Sequence, residues 1–217
     1  KRFERPMFGY LSRDEMLAVI GESGYSWLSQ RDHALFLLMY NTGARVSEMI
    51  GVKVADVVLD PSTACVHLLG KGRKQRSVPL WRSTVKALRA WLHVNPQFDG
   101  TSPLLPNRSG HEMTRANVTL RLASAVQRGA ETQPELAMRK VSPHTIRHTT
   151  AMHLLQSGVD ISVIALWLGH ESPVTTHHYV EADLAMKELA LARLHDPGAK
   201  VLRYRASDSL LDFLRTL

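Results

Sequence analysis

The chain has 217 residues, 44% of them hydrophobic, enough to bury a full core, and one compact domain is expected. Lys and Arg outnumber Asp and Glu by 27 to 20, giving a formal charge of +7 and a pI near 9.8, which favours a polyanionic partner, either nucleic acid or a membrane surface. Apolar runs such as ALFLLMY (34–40) fall well short of the roughly 20 residues of a bilayer span. The single cysteine, Cys65, excludes an internal disulfide framework and a Cys-based zinc site, fits a reducing cytoplasm, and is expected as a small buried apolar residue of a strand.

Ser12 followed three residues later by Glu15 is a capping-box signal for a helix over 12–20, closed by Gly21 and Gly24. A second helix is expected from about Ser29 to Tyr40. Asn41-Thr42-Gly43 breaks it before ARVSEMIG starts a short helical piece headed by Arg45. From 52 to 80 the stretches VKVADVVLD, TACVHLLG and RSVPL, separated by Asp60-Pro61 and by the basic turn GKGRKQ, predict a small three-stranded antiparallel sheet. Helical patterns follow at about 82–94, 114–129, 143–157, 160–168, 183–195 and 208–216. A Pro-rich loop separates the first two, and 130–141, polar with a central proline, is expected to be an exposed loop.

The stretch SPHTIRHTT (142–150) carries the first chemical signal. His144 and Arg147 lie three positions apart and share a helical face, with His148 one turn from His144. A zinc site would need further His, Cys or carboxylate ligands and would not tolerate a cation in its first shell, so no metal is expected. An imidazole beside a guanidinium suits a phosphate instead: Arg offers a planar fork of donors, and His exchanges a proton near neutral pH. A solvated basic helix start would carry the same residues, and the pair alone does not decide between these readings.

Three other stretches do. NTGARVSEMIG sets Arg45 behind a helix-breaking glycine with Glu48 placed to brace it; LLGKGRKQRSVPL puts Lys71 in a hairpin turn; ALWLGHESPVTTHHYVEAD sets His170 nine residues before Tyr179. Arg, hairpin Lys, His-x-x-Arg, Leu-Gly-His and Tyr in this order resemble the tyrosine recombinase or phage integrase family over about Leu11–Ala190. The resemblance implies a mainly α-helical α+β catalytic domain with a small three-stranded antiparallel sheet, spanning 11–195. It also implies that 1–10 is a linker from an N-terminal core-binding domain, and that 196–217 is a tail ending in a short docking helix with an apolar face of Leu210, Leu211, Phe213 and Leu214. Its catalytic set falls on Arg45, Lys71, His144, Arg147, His170 and Tyr179.

The resemblance further implies a site-specific recombinase acting on double-stranded DNA through a 3′-phosphotyrosyl intermediate, in integration or excision of a mobile element, with a homotetramer on DNA expected of the full-length protein and a monomer open for this stretch alone. A bacterial, cytoplasmic, nucleoid-associated enzyme without membrane association or cofactor is the expectation. Attack on a phosphodiester gathers negative charge on the non-bridging oxygens, which Arg45 and Arg147 suit as permanent cations with forked donors. The Tyr179 hydroxyl, with an ordinary pKa of about 10, needs the base His144 and a cationic field; Lys71 would protonate the departing 5′ hydroxyl, and His170 would bond the phosphate. Further DNA contacts are expected from Arg73, Lys74 and Arg76 of the turn and from Arg115, Arg121 and Arg128 of the helix near 114–129. His148 is expected to make a structural hydrogen bond, His177 and His178 to touch DNA or solvent, and Trp167 to pack beneath the site. The alternatives are a type IB topoisomerase-like enzyme and a non-catalytic DNA-binding protein of the same fold.

Overall fold

The computed structural model of the chain describes residues 9–70 and 74–169, which belong to the first of two compact units, ending at Ala182. Helix α1 (Arg13–Ile20) begins with the capping box its sequence predicts. The Ser12 hydroxyl accepts the Glu15 N–H at 3.2 Å, and the Glu15 carboxylate accepts the Ser12 N–H at 2.7 Å. Helix α2 (Trp27–Thr42) starts two residues earlier than expected because Ser26 accepts the Ser29 N–H. It ends on Gly43, whose left-handed backbone (φ 58°) lets its N–H bond the Met39 carbonyl at 2.8 Å.

Leu35, Phe36, Leu38 and Met39 of α2 are all buried, as befits a helix enclosed on several sides. It packs against α1, α4 (Arg82–His93) and α6 (Pro143–Gln156), while α1 also meets α5 (Arg115–Gly129). Trp91 of α4 and Val118, Leu122 and Ala125 of α5 complete this core. Trp91 also donates its indole N–H to the Leu104 carbonyl at 2.8 Å, tying down the Pro-rich loop.

Between α3 (Val46–Ile50) and α4 lies the sheet, with strands β1 (Val57–Val58), β2 (Cys65–Leu69) and β3 (Gln75–Pro79) in antiparallel order β1-β2-β3. Val66 pairs with Val78 and Leu69 with Gln75; Val66, Leu68 and Val78 point into the core while His67 and Leu69 face outward. β1 is shorter than its valine-rich sequence predicts. Residues Val54–Asp56 form a 3₁₀ turn in which the Asp56 carboxylate accepts the Lys53 N–H, so the extended run starts only at Val57. Cys65 lies in a strand as expected but is half-buried rather than buried.

The stretch 130–141 corrects its reading as a plain exposed loop. Pro134–Met138 is a 3₁₀ turn whose Leu136 is fully buried, although Met138 is exposed. Helix α6 opens with Ser142 accepting the Thr145 N–H and with Pro143 in its first turn, where a missing N–H costs nothing. Helix α7 (Ile161–Leu168) starts on the Asp160 cap and stops at Gly169, φ 65°. The helices expected at 183–195 and 208–216, the tail and most of the expected linker lie outside the described residues.

Candidate active site

Arg45 caps the start of α3, so its backbone and side chain both face Glu48 one turn on. Its N–H donates to Glu48 Oε2 at 2.8 Å and its Nη1 to Oε1 at 2.9 Å. Its Nη2 reaches the Gly169 carbonyl at 3.4 Å, and the side chain keeps 37% of its surface exposed. The bracing of Arg45 by Glu48 that the spacing predicts is therefore present.

α6 carries both members of the His-x-x-Arg pair, with His144 exposed in its first turn and Arg147 one turn deeper and buried. Arg147 donates from Nη1 to the Gly43 carbonyl at 2.7 Å and from Nη2 to the Leu168 carbonyl at 2.8 Å. His148 is half-buried. Trp167 packs on the core and donates its indole N–H to the Asn41 carbonyl at 3.1 Å, the packing role expected of it.

The end of α7 is where Arg45 and Arg147 meet. Three successive carbonyls, Trp167, Leu168 and Gly169, each accept from a different guanidinium: Arg76 Nε at 3.0 Å, Arg147 Nη2 at 2.8 Å and Arg45 Nη2 at 3.4 Å. Carbonyls of a last helical turn lack intrahelical partners and form the negative end of the helix dipole, so cations collect there for a general physical reason. The next residue in sequence is His170.

The expected DNA contacts divide. Lys74, Arg115 and Arg128 are exposed. Arg76 is not available as an outward contact: its side chain is 12% exposed, and Nη1 and Nη2 bond Glu48 Oε1 and Oε2 at 3.0 and 2.8 Å. Arg121 is held by Asp32, with Nε to Oδ2 at 2.6 Å, and Asp32 also binds Arg31, whose Nη1 reaches the Pro106 carbonyl. The sequence pointed to Arg76 and Arg121 by charge alone and missed their carboxylate partners, because neither Glu48 nor Asp32 is near them in the chain. Lys71, Arg73, His170, His177, His178 and Tyr179 lie outside the described residues.

Glu48, 5% exposed, is the carboxylate on which Arg45 and Arg76 converge. Burial alone would raise its pKa, but the hydrogen bonds from Arg76 and Arg45 prevail and hold it below the ordinary value. Among the described residues no group of three or more His, Cys, Asp or Glu side chains is arranged to hold a metal ion, and no helix is long and apolar enough to cross a membrane.

A mainly helical domain with this small antiparallel sheet is the fold of a tyrosine recombinase catalytic domain. The XerA recombinase superposes with a TM-score of 0.72 at 27% identity, over 88% of this chain and 66% of that one. The XerH recombinase bound to a palindromic difH substrate superposes at 0.69 over 86% of this chain and 53% of that one, at 24% identity, and bears on fold alone. Residues 10–186 match the phage integrase family, and the chain belongs to it. A protein named integrase/recombinase y4rC, of Sinorhizobium fredii, is 42% identical over the whole of this chain and 65% of its own length. The tyrosine recombinase XerC of Neisseria meningitidis serogroup B is 42% identical over 80% of this chain and 54% of its own. The chain thus spans between about half and two thirds of the length of these relatives.

Proposed function

We propose that this chain is the catalytic part of a site-specific DNA recombinase that cleaves and rejoins strands through Tyr179. The reading rests above all on one observation. Arg45 and Arg147, far apart in sequence, are held on the adjacent carbonyls of Gly169 and Leu168, directly before His170. Forked cations fixed in advance around a phosphate stabilise the charge that grows on its oxygens during attack, at no reorganisation cost in the transition state. Arg45 is half-exposed and carries more N–H donors than its bonds to Glu48 and Gly169 use, so it can reach a phosphate.

In this mechanism Tyr179 attacks the phosphodiester, forming a 3′-phosphotyrosyl bond as the P–O5′ bond breaks, and Lys71 protonates the departing 5′ oxygen to a hydroxyl. His144 takes the tyrosine proton, and His170 bonds the phosphate. A second 5′ hydroxyl then attacks the phosphotyrosine, so the bond energy is kept and no nucleotide is consumed. Integration or excision of a mobile element is the use we assign to the reaction, with the protein acting in the nucleoid as a homotetramer on double-stranded DNA. The exposed Lys74 and Arg115 fit sequence-independent phosphate contacts.

The test is a nicked suicide duplex built on a site selected from random DNA by the protein. Wild type should form a protein–DNA adduct stable to denaturant, and Tyr179→Phe none. Absence of an adduct from wild type, with the duplex bound, would favour a DNA-binding protein without catalysis.

A further inference from the structure

We propose that Arg76 is a positioning residue of strand cleavage and not a DNA contact. Through Glu48 it sets the guanidinium of Arg45, and through the Trp167 carbonyl it fixes the end of α7 from which the chain runs to His170. The inference rests on the recombinase reading above.

The guanidinium of Arg76 is turned inward, because Nε, Nη1 and Nη2 all donate to protein acceptors. Both oxygens of Glu48 are shared: Oε1 accepts from Arg45 Nη1 and Arg76 Nη1, while Oε2 accepts from the Arg45 N–H and Arg76 Nη2. A carboxylate held by one arginine alone can rotate to follow it. With Arg76 forked across both oxygens its plane is fixed, and Arg45 must conform to it.

Two glycines border the arrangement, and Gly169 is the tighter. A Cβ on Gly169 would lie 2.9 Å from Arg76 Nη1 and 3.1 Å from its Cδ, and one on Gly70 would lie 3.3 Å from Glu48 Oε1. The glycine of Leu-Gly-His is thus needed twice: for its left-handed backbone, φ 65°, and for the room it leaves to the Arg76 guanidinium. β3, α3 and the end of α7 are joined at this one side chain.

The experiment uses Arg76→Gln and Arg76→Lys in the protein with the nicked duplex described above. It follows single-turnover adduct formation at saturating DNA and the salt dependence of DNA affinity. A positioning role predicts a cleavage rate lower by about 100-fold, the scale of a misplaced catalytic group, with an unchanged salt slope. Arg76→Lys, which keeps the charge but loses the fork, should also lose most of the rate. Combined with Arg45→Lys, the loss should be smaller than the product of the two single losses, since part of the effect of Arg76 passes through Glu48 to Arg45. A phosphate contact would instead lower the salt slope by about one unit and leave the saturated rate nearly intact, and that result overturns the proposal. So would losses that multiply with Arg45→Lys, the mark of general destabilisation. Should Arg76→Gln not fold, Arg76→Lys supports the same comparisons. If wild type itself yields no adduct, the recombinase reading falls and this inference with it; an active wild type with an unimpaired Arg76→Gln overturns the inference alone.

Discussion

Gly43→Ala tests the junction that holds Arg147. The left-handed backbone at Gly43 presents its carbonyl to Arg147 Nη1, and a Cβ there would lie 2.5 Å from Leu168 Cδ2 and 3.3 Å from Thr150 Cγ2. Leu168 and Thr150 are both buried, so neither neighbour moves easily. The backbone contributes about 1–2 kcal/mol of strain and the overpacking about 1–3 kcal/mol. The sum, about 2–5 kcal/mol, is a large share of the roughly 5–15 kcal/mol that holds a domain folded. Urea unfolding followed by circular dichroism should show a lower midpoint at unchanged slope.

The sharper reading comes from Leu168→Ala, which by itself costs about 2–5 kcal/mol through its cavity. In Gly43→Ala/Leu168→Ala the new methyl enters the space the leucine vacates. The double variant should therefore be less destabilised than the sum of the singles by at least about 1 kcal/mol, whereas independent sites add to within about 0.5 kcal/mol. Additive losses, or a Gly43→Ala protein as stable as wild type, would refute a tight contact between Gly43 and Leu168.

Glu48→Ala leaves two guanidinium groups around an empty carboxylate site and should cost about 3–5 kcal/mol in urea unfolding, as broken buried ion pairs do. Arg115→Gln should lower the salt slope of DNA binding by about one unit, while Arg121→Gln, whose guanidinium is held by Asp32, should act mainly on stability. His153 accounts for a pH dependence: burial, aided by the charge of Arg13, lowers its pKa below the ordinary 6.5, and its Nδ1 lies 2.7 Å from the Tyr40 hydroxyl. The unfolded chain thus takes up this proton more readily. The stabilisation is full above about pH 6.5 and is lost as the pH falls through the lower folded value. Unfolding between about pH 7.5 and pH 5.5 should show that loss in wild type and a flatter profile in His153→Gln.

The local signals of the sequence were sufficient wherever short-range physics decides the outcome. Ser12 and Glu15 at the start of α1 and Gly43 at the end of α2 mark helix ends because caps and left-handed turns are made within a few residues. In Cys65–Leu69 the apolar letters fall on both faces, and it is the packing that buries Val66 and Leu68 and leaves Cys65 only half-buried. The order of Arg, Lys, His-x-x-Arg, Leu-Gly-His and Tyr marked the family before any coordinate was known. Short-range signals were weaker at 130–141, where polarity hid the buried Leu136, and at β1, where the Asp56 side chain bonded to Lys53 displaced the strand.

What the tertiary structure alone decided is which charges face inward. Arg73, Lys74, Arg76 and Arg121 are equivalent as letters in a basic sequence. Only the packing of β2 against α3 and of β3 against α7 turns Arg76 onto Glu48 and the Trp167 carbonyl, and only the packing of α1 against both α2 and α5 gives Arg121 to Asp32. An ion pair between residues distant in the chain leaves no periodicity to read, because its partners are brought together by the core and not by one another. The same holds for the end of α7. Its three carbonyls are ordinary helix-terminal acceptors in the sequence, and become the meeting point of Arg45, Arg76 and Arg147 once the fold closes around them.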